Sequence, residues 1–71
     1  MKKDTAIRVQ QSGRAAIAIL TALLNQVASD CSDEEFNAIK RGVGLTIGRI
    51  QMELLEPLYL QHPDVDDWPR E

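Results

Sequence analysis

A chain of 71 residues with 8 basic and 11 acidic side chains, a net charge of −3 and a single cysteine has room for one domain at most. These figures exclude an intramolecular disulfide, leave no zinc set because Cys31 and His62 are the only residues of their kinds, and argue against a general nucleic-acid binder. Chains this short bury only about 60% of their unfolded surface, and many need disulfides, metals or oligomerisation; oligomerisation is the support left.

The charge is unevenly placed. Residues 1–31 hold Lys2, Lys3, Arg8 and Arg14 against Asp4 and Asp30, a local +2. Residues 53–71 hold six acids against Arg70 alone, a local −5. Such asymmetry can steer association, although a solvated surface is the simpler reading. Lys2 and Lys3 precede an apolar run, residues 15–24, with the length of a signal-peptide core. Asp4, Gln10 and Gln11 interrupt the leading segment, no small-residue cleavage site follows, and Asp30 before Cys31 does not suit lipoprotein processing. With one unpaired cysteine, a reducing cytoplasmic setting is the expectation. The run falls well short of the ~20 apolar residues of a membrane span.

The first predicted element is a helix over residues 4–29. Ala6, Val9, Gly13, Ile17, Leu20, Leu24 and Val27 line one face, with Ala16 and Leu23 on its flank and Ile19 wider still. Gly13 is the weak point, since glycine costs about 1 kcal/mol against alanine inside a helix, so the first turns are expected to fray or form a short separate helix. A connection of Ser29, Asp30 and Cys31 follows. Ser32 and Glu35 then have the spacing of a capping box, with Cys31 and Phe36 at the two positions of a hydrophobic staple. Asp33, Glu34 and Glu35 set negative charge against the positive end of the helix dipole. Cys31 reads as a packing residue rather than a reactive thiol.

The second helix is predicted over 33–56, extending to about 60, with Pro57 ending or kinking it. At 100° per residue it carries two apolar stripes. Phe36, Ile39, Val43, Ile47, Ile50, Leu54 and Leu58 fall within about 100° of one another. Leu45, Met52, Leu55 and Tyr59 fall on another side with Gly44 and Gly48. A short connection forces the two helices antiparallel, and the hairpin partner can bury only the first stripe. Gly44, Leu45, Gly48, Met52, Leu55 and Tyr59 are therefore the expected oligomer or partner interface, the glycines allowing another helix to approach closely. A break near Gly42, giving a third helix and turning the second stripe inward, is the competing arrangement.

Residues 61–71 form an acidic tail with Pro63 and Pro69, expected to be irregular. Val65 and Trp68 could anchor it as a short docking peptide, although the favoured reading is that Trp68 folds back on the bundle end near Tyr59. No catalytic set converges. His62 has no nucleophile placed beside it, and Asp64, Asp66 and Asp67 lack the pattern of a calcium loop. The glycines at 42, 44 and 48 sit inside an amphipathic helix, without the strand and βαβ context of a phosphate loop. No enzyme activity, cofactor or metal is expected.

The predicted fold is all-α: an antiparallel two-helix hairpin over residues 1–60 that dimerises into a four-helix bundle. In length, acidic tail and hairpin layout it is similar to the small dimeric plasmid regulators that bind RNA hairpins, a resemblance of layout without a shared motif. An RNA binder of that kind implies a basic stripe with an aromatic on the exposed face of the first helix. Here that face offers Arg8, Gln11, Arg14, Asn25 and Gln26 with no aromatic. The expected function is a non-enzymatic protein–protein interaction or regulatory module acting as a homodimer. Its alternative is a nucleic-acid-binding hairpin dimer using Lys2, Lys3, Arg8 and Arg14.

Overall fold

The computed structural model describes residues 1–66, and they are almost wholly helical. Helix α1 runs Lys3–Val27 and tightens into a 3₁₀ turn, Ala28–Asp30. Helix α2 runs Asp33–Arg49, passes into a π-helical segment, Ile50–Leu55, and continues as α3, Glu56–Gln61. A single turn, α4, spans Pro63–Asp66. The long helices pack antiparallel, and the molecule measures 45 × 22 × 15 Å. A helix with its side chains is about 10–12 Å across, so the hairpin is two helices wide and one helix thick.

The start of α2 is fixed by local chemistry. The Ser32 hydroxyl accepts from the Glu35 amide at 3.2 Å, and the Ser32 amide donates to Glu35 Oε1 at 2.8 Å. Both bonds satisfy amides that have no partner within the helix. The same bonds hold the Glu35 carboxyl below its ordinary value of 4.5. Helix α2 then runs unbroken through Gly42, Gly44 and Gly48, so the expected alternative of a break near Gly42 does not occur. Helix α1 is likewise continuous through Gly13, without the expected separate first turn.

The sequence pattern gave no sign of the π segment. Its mark is the Glu56 amide donating to the Gln51 carbonyl, five residues back. Pro57 lies in the first turn of α3. In a continuous α-helix its ring would meet the carbonyl of Glu53 and leave that carbonyl without a donor. A widened turn just ahead of the proline carries the chain past that conflict, so the helix continues to Gln61. Adding one residue to a turn sets all later side chains back by about 100°. Leu55 and Tyr59 therefore move from the outer stripe toward α1, and Leu54 moves off the inner one.

The closed part of the core lies at the end of the hairpin where α1 starts and the chain returns. Ala6, Leu58 and Val65 are buried together there, with Ile7, Val9 and Tyr59 packed around them. Toward the connection between the long helices enclosure fails: Leu20, Leu23, Leu24, Val27, Phe36, Ile39, Ile47 and Ile50 are only half-buried, and Val43 is the one buried residue of α2.

Candidate protein-interaction site

Gly13 sits where α1 crosses the π segment. A Cβ built there would lie 2.8 Å from Leu55 Cδ2 and 3.4 Å from Leu54 Cδ2. The helix-weakening residue is thus a point of close approach between α1 and the π segment. Its signal in the sequence was its place in the middle of the α1 stripe. Leu55 is 4% exposed and Tyr59 is half-buried, so the expectation that both belong to an outer interface is corrected by the π turn.

Gln10 is buried, and its Nε2 donates to the Val65 carbonyl at 2.7 Å and to the Tyr59 hydroxyl at 3.5 Å. The tail as far as Asp66 is therefore part of the fold rather than irregular chain. Val65, proposed above as a docking anchor, is fully buried and unavailable for that role. Its turn is further tied by Lys3 Nζ to Asp64 Oδ2 at 2.7 Å, which holds the Asp64 carboxyl below its ordinary 3.8. Both side chains of that pair remain about half exposed, so it contributes little on its own. Trp68, the other proposed anchor, lies outside the described residues.

What remains of the outer stripe is open. Leu45 is 63% and Met52 67% exposed. A Cβ added at Gly44 or Gly48 would meet nothing within 4 Å, so no described element uses the close approach those glycines permit. Leu60, at 84% exposed, joins this edge after the π turn.

The two broad sides of the hairpin differ in chemistry. One holds a groove of about 410 Å³ lined by Arg14, Ile17 and Ala18 of α1 with Gln51, Leu55, Glu56 and Tyr59 opposite. The other holds a shallower groove of about 450 Å³ lined by Thr5, Arg8, Val9 and Ser12 with Leu54 opposite. Arg8 and Arg14 thus line opposite sides, and Lys3 is engaged with Asp64. The four cations proposed for nucleic acid do not form one patch.

Among the described residues no helix is long and apolar enough to cross a membrane. No protein-family model, curated protein or solved structure matches this chain.

Proposed function

We propose that this chain is a small, non-enzymatic protein–protein interaction or regulatory module that works as a helical dimer. The observation that carries the reading is incomplete enclosure. Helix α2 has 17 residues and buries only Val43, while Ile19, Leu45, Met52 and Leu54 stand between 43% and 69% exposed. The accessible surface is 5429 Å², against about 4,450 Å² for a compact monomer of this mass. A layer one helix thick leaves apolar surface uncovered, and a second layer is the usual way to cover it.

The test is a thermal melt followed by circular dichroism over a wide range of protein concentration. A dimer whose association stabilises the fold melts at a higher temperature as concentration rises. A midpoint independent of concentration contradicts the reading. Binding of nucleic acid through Lys2, Lys3, Arg8 and Arg14 has no comparable support, because the cations are dispersed and one is already engaged.

A further inference from the structure

The dimer reading leaves two surfaces for a second copy: the outer edge of α2 at Leu45 and Met52, or one of the broad sides. We infer that the second copy stacks on the broad side that bears Val9, Ile19 and Leu54, and that the α2 edge stays outside the contact. The inference rests on the dimer reading and deepens it.

Helix α1 carries two seams. Its inner row faces α2. A second row, Thr5, Val9, Ser12, Ala16, Ile19 and Leu23, advances in alternating steps of four and three residues, the spacing by which helices interlock at shallow angles in bundles. The first three residues of this row line the groove that Leu54 closes, which fixes the side on which the row lies. It contains no charged residue, and among the described residues nothing encloses it: Ile19 is 69% exposed, and Ala16 and Leu23 are half-buried.

Helix α2 continues the same side. Ile39, Thr46 and Ile50 fall on its matching flank, within about 40° of one another by helical geometry, with the acidic Glu35 and Glu53 about 20° beyond Thr46. Ile39 and Ile50 are half-buried and Thr46 is exposed. Arg8 stands at the margin of the groove. The groove of the opposite broad side mixes Arg14, Gln51 and Glu56 with Ile17, Ala18, Leu55 and Tyr59.

A second copy of this chain suits this side for two reasons. A two-fold contact sets a surface against itself, and the α1 row, which holds no charged residue, does so without opposing like charges, while the exposed Arg49 and Glu53 on the α2 flank are paired with each other at 2.8 Å. The broad side also has the size required. Its outline of 45 by 22 Å is about 1,000 Å², against about 800 Å² per partner in a stable interface. The exposed apolar edge of α2 is a narrower strip, interrupted by Arg49, Glu53 and Glu56 along its borders.

The experiment compares the association of wild type, Ile19→Glu and Met52→Glu by sedimentation equilibrium, with circular dichroism confirming that each stays helical. Ile19 is mostly exposed in the single hairpin, so its replacement leaves the hairpin intact. Ile19→Glu should weaken self-association by about 30-fold or more, the effect of an unpaired charge in an interface, while Met52→Glu associates as wild type does. Should Ile19→Glu lose helix content, Thr46→Glu places the same charge on α2 from an exposed position and takes over its part. A dimer that survives the charge on the broad side, or one that Met52→Glu breaks, overturns the inference and leaves the dimer reading standing. A wild type that is monomeric at every concentration overturns both.

Discussion

At the residue scale, glycines with the same intrinsic cost act differently because of what lies above them. Gly13 has Leu55 against it, and Gly48 has open space. Gly13→Leu should therefore destabilise the fold by about 1–3 kcal/mol through overpacking. Gly48→Ala should stabilise it by close to 1 kcal/mol through helix propensity. Urea unfolding at one fixed protein concentration measures both. A Gly48→Ala chain that loses stability or association would show that a partner helix packs on that glycine, contrary to the placement of the second copy on the broad side. Gln10 is the other decisive residue. A polar side chain beside an apolar stripe reads as surface, and its donation to the Val65 carbonyl and the Tyr59 hydroxyl explains its burial. Nothing in the sequence announces a bond between residues 55 positions apart.

At the element scale, the sequence reading held where local chemistry decides and failed where one residue shifts a helical face. The α2 start was legible because the capping box needs only Ser32 and Glu35 at the right spacing. Ser32→Ala should cost about 0.5–2 kcal/mol, read from the urea midpoint. The carboxylate side of the box gives a pH dependence of definite sign. The Glu35 and Asp64 carboxyls are both held below their ordinary 4.5 and 3.8. Their contributions are complete above about pH 4.5 and fade as pH falls through the lower folded values. Stability measured from pH 6 to pH 2 should fall in that acid range, less steeply in Ser32→Ala. A loss no smaller in that variant would remove the box as a source of the acid sensitivity.

The π segment was not legible, because periodicity arithmetic assumes 3.6 residues per turn throughout, and it misassigned Leu54, Leu55 and Tyr59 as a result. Pro57 was a visible cause of disturbance, but its outcome was read as an end or kink rather than as a widened turn upstream. The tail was misread for a related reason: two prolines and a run of acids suggest irregular chain, while one valine at the right distance reaches the core. Truncation after Gln61 should accordingly be costly. It uncovers Ala6, Leu58 and Gln10 and removes a fully buried Val65, worth about 1.5–3 kcal/mol for the side chain and about 1 kcal/mol for the Gln10 hydrogen bond. Truncation after Asp66 keeps every one of those contacts. Equal melting curves for the two truncated chains would show that α4 contributes nothing.

At the scale of the whole molecule, the hairpin is closed at one end and open along its flanks. At the closed end α4 seals Ala6 and Leu58. Along the rest of its length each long helix presents an apolar flank that no third element among the described residues meets, in a body only 15 Å deep. The two-stripe pattern that suggests association survives in altered form, with its uncovered residues divided between the α2 edge and the broad side. The central claim is that a single copy is an incomplete layer. Sedimentation equilibrium of the wild-type chain tests it most directly: the predicted mass is about twice the 8.0 kDa of one chain, and a mass of 8.0 kDa at every concentration, with helix content and melting unchanged, would contradict it.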